Sequence, residues 1–571
     1  MSAFLFTVAV SFSCLLCILL KNFFSLYEFP GPILSKFSNI WRYLDVRKGS
    51  HEATLICLHR RHGIVVRTGP NSLSIGTPEA IPKIYGVGRG FTKSAFYDAF
   101  SQHKRGKRIP ALFSLRDEEL HSSILRPVAQ AYWLSALLNY EALVDTVIKT
   151  LLDALDERFA IPEDRDLRQG MACDIGQWLQ FCMTIRSLVR SFFICLGPWN
   201  LKSTRKLTGT VACDAITAIT FGQPMGLLQS GEDMSDFIQR LDKAIDADAP
   251  VSTFSHRISQ GDNDGKFLVA LLTLKILHQI SQMPWMGYLK KKNPLNRFFA
   301  KDSNFTVSFV EDRIRERRGH LALSGERDAH RLEDLLDKYI SAEKSYDIVD
   351  DGLVRSYAMS TVASGSDSIS IPLRSVIYLV LRNPNVYEKV THEVRNAGLQ
   401  SPTQFRDVLE SLPYLGAVIK EALRLHPPVG LGLERTVPDT GLQLKNQPLI
   451  PSGTQVSVCA WVVHLDHEIF GHDSGDFVPE RWLRADEETY TEYTERLARM
   501  QRFDFSFGHG SRTCIGKNMS LILLYKVLAS LFMELDMVST GEKWMTRNSW
   551  FVKQWNVKVH LRRRREGSKI E

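Results

Sequence analysis

The feature that most restricts how this chain can fold lies near its C-terminus: Phe507-Gly508-His509-Gly510-Ser511-Arg512-Thr513-Cys514-Ile515-Gly516, running straight into the apolar, helix-periodic stretch Met519 to Met533. Glycines here permit positive φ and close approach of the backbone to a bound group. A cysteine at the junction of such a loop with a helix gains backbone N–H groups and the positive helix end, both of which stabilise sulfur's negative charge. Arg512, two residues upstream, adds a cation suited to a carboxylate. The stretch therefore reads as a loop holding Cys514 as a thiolate metal ligand, and the body of the chain must fold to enclose it.

Composition allows such a body. Of 571 residues, 44% are hydrophobic and 23% charged, which excludes wholesale disorder, collagen and coiled coil. The net charge of +8 comes from scattered basic residues apart from Arg562 to Arg565, a run expected to be a solvated tail, so no nucleic-acid footprint is present. The nine cysteines are Cys14, Cys17, Cys57, Cys173, Cys182, Cys195, Cys213, Cys459 and Cys514. They are too few and too dispersed for a disulfide scaffold and point to a reducing compartment. Cys14 and Cys17 form a CxxC, but inside an apolar run, which favours lipid-facing side chains over a zinc or redox pair.

That apolar run is the second informative segment. No side chain from Met1 to Leu20 is charged, and Phe23 and Phe24 extend the stretch past Lys21 and Asn22, enough to cross about 30 Å of hydrocarbon. A cleaved signal peptide would want a basic start and a small-residue cleavage site, and neither precedes Pro30-Gly31-Pro32. Residues 1–24 are thus expected to be an uncleaved transmembrane anchor and 25–32 a Pro/Gly hinge. Lys21, Lys36, Arg42, Arg47 and Lys48 follow the span, which places the body, 33–571, in the cytosol.

Within the body, Gly63 to Thr68, the turn Gly69-Pro70-Asn71 and the residues after it read as strand, turn and strand. Tyr140 to Ala160, Leu268 to Gln282, Leu353 to Leu381 and Leu415 to Leu425 carry apolar residues at three-to-four spacing, with Pro384, Pro427 and Pro428 marking ends. Gln260 to Lys266 and Arg318 to His330 read as loops or insertions. No repeat or Ser/Gly linker divides the chain, so one large domain, mainly α with a smaller β portion, is expected.

The Cys514 loop matches FxxGxRxCxG at every defining position, and the chain from about Pro30 onward thereby resembles the cytochrome P-450 family of heme-thiolate monooxygenases. The resemblance implies that family's fold, a heme b with Cys514 as axial iron ligand, and Phe507, Gly508 and Arg512 among the residues around it. Glu421-Ala422-Leu423-Arg424 is an ExxR whose side chains share a helix face; apolar surroundings favour its burial. In the family this pair is joined by the arginine of a Pro-Glu-Arg-aromatic segment, here Pro479-Glu480-Arg481-Trp482, so Glu421, Arg424 and Arg481 are implied to brace the heme-binding core. Arg435 resembles the arginine that reaches a propionate, and His121 and Arg126 resemble the HxxxR helix, though Leu125 stands at the fourth position after His121.

Ala363-Ser364-Gly365-Ser366-Asp367-Ser368-Ile369 corresponds to the family's [AG]-G-x-[DE]-T-[TS] on the helix above the heme. Physically, Ser, Asp and Gly in mid-helix fit a surface kink as well as a site. The resemblance implies that Asp367 and Ser368 deliver protons during catalysis. Ser364, Ser368 and Ile369 depart from the pattern, and serine lacks the methyl that restricts threonine's rotamer. His464, His467 and His472 lack the HExxH spacing of a zinc site.

The implied activity is insertion of one oxygen atom from O2 into a lipophilic small molecule. Gly86-Val87-Gly88-Arg89-Gly90 lacks the spacing and acidic follow-up of a dinucleotide fingerprint, so electrons come from outside, in microsomal relatives from NADPH through cytochrome P-450 reductase. Phe505 to Gly508, Phe221-Gly222-Gln223-Pro224 and Phe91-Thr92-Lys93-Ser94 look most like filamentous-fungal members acting on terpenoid, polyketide or indole skeletons in the endoplasmic reticulum membrane. Two alternatives stand beside this: a heme-thiolate isomerase or dehydratase needing no external electrons, and a non-catalytic membrane heme-binding protein. The Asp367-Ser368 pair argues against both.

Overall fold

Helices form where apolar residues recur at three-to-four spacing. The computed structural model describes residues 2–104, 107–161, 166–179, 211–230, 305–323 and 333–564; the expected helix at Leu268 to Gln282 and the loop at Gln260 to Lys266 lie outside them. The N-terminal helices are α1 (Ser2–Ser25), α2 (Ile33–Phe37), α3 (Ile40–Lys48), α4 (His51–His62), α5 (Ala80–Tyr85) and α6 (Glu118–Ala129). Those around the site are α7 (Glu141–Phe159), α8 (Val211–Phe221), α9 (Asp351–Arg382), α10 (Pro384–Asn396), α11 (Pro413–Leu425) and α12 (Lys517–Glu534). The expected boundaries hold to within a turn. Pro384 ends one helix by starting the next, where its missing N–H costs nothing.

Helix α9 runs 32 residues through the centre of the main apolar core. Asp350 caps it by accepting from the Leu353 N–H at 2.8 Å. Gly365 lets α8 approach: a Cβ there would lie 2.7 Å from Ile216 Cδ1. Pro372 sits inside the helix and offers no N–H to the carbonyl of Ser368 one turn back.

Short strands line one side of the body. β1 (Val65–Gly69), β2 (Ser72–Ile75), β3 (Thr92–Lys93), β4 (Arg435–Thr436) and β5 (Gln455–Val458) form one sheet in the order β1-β2-β5-β4-β3, with β1 and β2 antiparallel, as their turn requires. β9 (Lys558–Arg563) is the central strand of a second sheet, pairing antiparallel with β6 (Leu535–Ser539) on one side and with the short strand Cys173–Asp174 on the other. β7 (Met545–Asn548) and β8 (Val552–Trp555) make a hairpin against α9 and α11. There Gln554 Nε2 donates to Ile371 O at 3.1 Å and Ser375 Oγ at 2.7 Å, and Val552 N donates to Pro428 O at 2.8 Å.

Three expectations change. The basic run from Arg562 is not a free tail: Arg562 and Arg563 belong to β9, whose Val559 and Leu561 are buried, and Arg562 pairs with Asp536 at 3.2 Å. Arg565 lies outside the described residues. Arg318 is not in a loop but in the helix Phe305–Leu323, held by Glu343 at 2.7 Å and Asp351 at 2.9 Å; residues 324–330 lie outside. The segment expected as a hinge packs on β1, with Arg67 N donating to Pro30 O at 2.7 Å. Helix α1 spans 24 residues where the anchor is expected, while among the described residues no helix is long and apolar enough to cross a membrane.

Candidate functional site

The loop that carries Cys514 is fixed from below by the ExxR helix. Arg424 donates to Glu421 twice, through Nε at 2.9 Å and Nη2 at 2.7 Å, and sends further bonds to the carbonyls of His464 (2.8 Å), Ser474 and Asp476 (3.1 Å). Glu421 also accepts from Arg481 Nε and Trp482 Nε1, both at 2.8 Å, and from Val478 N at 3.1 Å. Arg481 is held in turn by Asp473 at 2.8 Å. A buried ion pair of this kind survives because every remaining polar atom finds a partner.

His464 carries this scaffold to the loop. Its Nδ1–H donates to Arg424 O at 2.9 Å and its Nε2 accepts from Phe505 N at 2.8 Å. Both ring nitrogens are therefore occupied and the ring is neutral, as its downward pKa shift from burial requires.

From Phe505 the chain turns into the loop. Gly508 and Gly510 adopt φ of 73° and 69°, the left-handed region open to glycine, and a Cβ on Gly510 would fall 1.9 Å from Tyr85 O at the end of α5. Cys514 N donates to Phe507 O at 2.9 Å and Lys517 N to Cys514 O at 3.3 Å, setting the sulfur at the start of α12. Burial pushes the Cys514 thiol up, opposed by a backbone hydrogen bond from Gly516 and the charge of Lys517. Cys514 is nonetheless exposed as a residue, and a thiol held upward keeps its proton at neutral pH until a metal replaces it.

Three basic side chains and a histidine come together from four elements. Lys93 on β3 lies directly opposite Arg435 on β4 in the antiparallel register, a like-charge pair that is costly unless an anion is nearby. Arg512 comes from the loop and His121 from α6. Burial, then Arg435 and Arg512, hold Lys93 well below its usual range. Burial, then Arg512 and Lys93, bring His121 down to about 3. Arg512 is held by Glu118, with Nη2 at 2.9 Å from the carboxylate, and its buried Nη1 has no partner. Arg435 lies over the Tyr85 ring at 4.9 Å and donates to Glu434 O at 2.8 Å and to the Tyr97 hydroxyl at 3.3 Å. The basic side chains Lys93, Arg435 and Arg512, with the neutral His121 near them and an unpartnered Arg512 Nη1, fit a cofactor that carries carboxylates.

Of the residues expected from sequence, Phe507, Gly508, Arg512, Cys514, Arg435 and His121 belong to this set. Arg126 does not come with them. It is exposed because five residues of helix turn it about 140° from His121. Lys93 was missed; its signal is a lysine in a two-residue strand facing an arginine, invisible before the register is known.

Helix α9 faces the same interior through a tyrosine that spans the gap. Asn518 Nδ2, at the start of α12, donates to Tyr132 O at 3.1 Å, while the Tyr132 hydroxyl meets Thr361 Oγ1 of α9 at 2.8 Å. Ser364 and Ser368 lie one turn apart, accessible and half-buried; Ser364 Oγ donates to Ser360 O at 2.6 Å and Ser368 Oγ to Ser364 O at 2.7 Å. Asp367 is fully buried and turned to the hairpin, where Lys553 Nζ of β8 lies 2.8 Å from Oδ2. Lys553 is the second residue that sequence reading missed, because 186 positions separate it from Asp367.

Comparisons with known proteins agree with this geometry. Residues 202–556 match the family model described as Cytochrome P450. The chain is 31% identical over 552 residues to the cytochrome P450 monooxygenase cicH of Emericella nidulans, covering 95% of each chain. It is 30% identical to a cytochrome P450 monooxygenase of Aspergillus terreus, covering 91% of this chain and 92% of that one. It is also 30% identical to the cytochrome P450 monooxygenase hepC of Aspergillus oryzae, over 92% and 89%.

Proposed function

Because the chain belongs to the cytochrome P450 family and is a heme-thiolate monooxygenase that uses heme b, we propose that Cys514 would hold the heme iron as a thiolate and that Asp367 and Ser368 handle the protons of oxygen activation. Bound there, the heme supplies activation of O2 and insertion of one oxygen atom into a substrate bond. The observation that carries the assignment is the exposed Cys514 at the start of α12, in the glycine loop that also carries Arg512 with its unpartnered Nη1.

The chain's own residues then divide the work. The Gly516 N–H and the start of α12 stabilise the thiolate. Arg512, Arg435 and Lys93, with His121 as a neutral donor, would hold the cofactor through its carboxylates, which would offset the charge of Lys93 facing Arg435. Phe507 and Gly508 allow close approach and keep water from the sulfur. Ser368 has spent its proton on Ser364 O, so its lone pairs accept from a water and hold it in place. Asp367, paired with Lys553, takes and returns the protons that this water passes on.

The substrate is a lipophilic small molecule, in the fungal manner a secondary metabolite of terpenoid, polyketide or indole type; fungal relatives along the whole chain support this reading. Electrons come from NADPH through cytochrome P-450 reductase. Helix α1 serves as an anchor in the endoplasmic reticulum membrane with the body in the cytosol, a reading supported by the uncharged run from Met1 to Leu20 and the basic residues that follow it. Reduced full-length protein under carbon monoxide is expected to give the red-shifted thiolate Soret band, absent in Cys514→Ser. With reductase, NADPH and 18O2, one labelled atom enters product. A histidine-type band in folded protein overturns the Cys514 assignment, and product formation without NADPH overturns the monooxygenation reading in favour of isomerisation.

A further inference from the structure

The antiparallel register that sets Lys93 of β3 opposite Arg435 of β4 carries on past the strand ends to Ser94 and Glu434. Ser94 is extended, with φ −76° and ψ 170°, and its Oγ donates to Glu434 Oε2 at 2.6 Å. Side chains alternate along a strand, so this short ladder has two faces. Lys93 and Arg435 lie on the one that belongs to the candidate site, Ser94 and Glu434 on the other, and all four residues are buried.

The far face is closed from a distant part of the chain. Arg42 of α3, itself buried, pairs with Glu434 Oε1 and lies over the Phe96 ring at 5.7 Å. Both oxygens of Glu434 are thereby engaged, one by Arg42 and one by Ser94. A carboxylate in a dry interior needs such partners, because the loss of hydration is otherwise too costly for its charge.

Of the four charged side chains on this ladder, Arg42, Lys93, Arg435 and Glu434, one is negative. Glu434 adjoins Arg435 in sequence and stands one rung from Lys93, yet its carboxylate goes to neither. Arg435 Nη1 donates to the backbone oxygen of Glu434 at 2.8 Å and to the Tyr97 hydroxyl at 3.3 Å. Lys93 Nζ donates to Phe113 O and sits over the Tyr97 ring at 4.4 Å. Burial pushes the Tyr97 hydroxyl up, Arg435 opposing and Glu434 adding to the shift, so both charges act on the same ring from the two sides of the ladder.

We propose that Arg42 is a positioning residue for the cofactor: by holding the Glu434 carboxylate on the far face, it keeps the charge of Lys93 and Arg435 for the cofactor's carboxylates. This role rests on the reading of Lys93 and Arg435 as holders of those carboxylates. Without Arg42, the cations nearest to Glu434 along the ladder are Arg435 and Lys93, and Glu434 competes with the cofactor for them. Its unbalanced negative charge beside the cofactor also favours the oxidised iron and lowers the reduction potential.

The test uses the full-length, heme-loaded protein and follows heme loss to excess apomyoglobin, the reduction potential and the urea midpoint. Arg42→Met is expected to speed heme loss about tenfold, the lower end for a group that acts through another, and to lower the potential. Arg42→Lys keeps the charge and is expected to recover most of both. Arg42→Met combined with Glu434→Gln removes the competing carboxylate and is expected to return heme loss and potential to near the wild-type values. If Arg42 only packs, the urea midpoint falls in the single and double variants alike and the potential moves in neither, which overturns the proposal. Should Arg42→Met fail to fold, Arg42→Gln keeps a donor to Glu434 without the charge; faster heme loss with a lower potential supports the proposal, and wild-type values overturn it. Arg435→Gln and Lys93→Met check the reading beneath it. If neither speeds heme loss, that reading fails and the proposal with it; if either does while the Arg42 variants do not, the proposal alone falls.

Discussion

Glu421 and Asp367 are both carboxylates with no exposure, and each lies on a helix beside the candidate site, yet they are held in opposite ways. Glu421 receives Arg424, Arg481, Trp482 and a backbone N–H, whereas Asp367 has, among the described residues, a single charged partner, Lys553. A carboxylate saturated with donors is fixed in charge and position. One held by a single ammonium, itself nearly buried, keeps oxygen lone pairs free for proton exchange. On the proposed reading the Cys514 side is built for rigidity and the α9 side for proton traffic, and substitutions sort by which side they touch.

The largest effect is expected on the rigid side. Arg424→Ala leaves Glu421 charged and buried without its bidentate partner and frees three carbonyls, a loss of about 3–5 kcal/mol. Cells expressing it should yield little heme-loaded protein by carbon monoxide spectrum. Arg424→Lys should fare little better, since an ammonium cannot replace the planar fork. Stable, heme-loaded Arg424→Ala would break the contrast at its base.

Next comes an acid dependence on the same side. His426, at the end of α11, is fully enclosed, and burial lowers it to about 4 while its Nε2–H donates to Val552 O at 3.0 Å. The unfolded chain binds this proton near pH 6.5 and the folded one only near 4, so stability rises with pH across that window. Below pH 4 the contribution is lost; above 6.5 it is complete, amounting to about 3 kcal/mol. Urea midpoints measured from pH 4 to 7 should show this slope, flattened in His426→Phe.

On the α9 side the expected effects are kinetic. Asp367→Asn should lower turnover by about a hundredfold, the lower end for a positioned acid–base group, with substrate-binding spectra unchanged. Lys553→Met should follow in the same direction and by less, and Lys553→Arg should recover much of the loss. If Lys553→Met instead lost heme and stability together, Asp367 would belong with Glu421 and the two sides would not differ.

How far the sequence revealed this follows the same division. The loop from Phe507 to Gly516 and the pair Glu421–Arg424 are legible because their chemistry is local: neighbours in sequence are neighbours in space. The helix ends at Pro384 and Leu425 are legible for the same reason. Lys93 opposite Arg435, Lys553 against Asp367 and Arg42 against Glu434 depend on strand register and on packing between distant segments, which periodicity does not encode. The run at Arg562 misled because charge was read without alternation: Val559 and Leu561 face inward between the basic residues.

The smallest and sharpest test is at Ser368. Its hydroxyl donates to Ser364 O at 2.7 Å, a bond within the helix that threonine makes equally well. The proton therefore points along the helix in either residue, and what threonine adds is a methyl that removes a rotamer. Ser368→Ala deletes the acceptor that holds the water, so peroxide formed per NADPH should rise severalfold while substrate-binding spectra stay unchanged. Ser368→Thr keeps the acceptor and narrows its direction, so coupling should stay equal or improve slightly. The two variants together separate acceptor from bulk: if alanine and threonine shift peroxide yield alike, the hydroxyl serves only helix packing, and the proton traffic assigned to α9 must run through Asp367 and Lys553 without it.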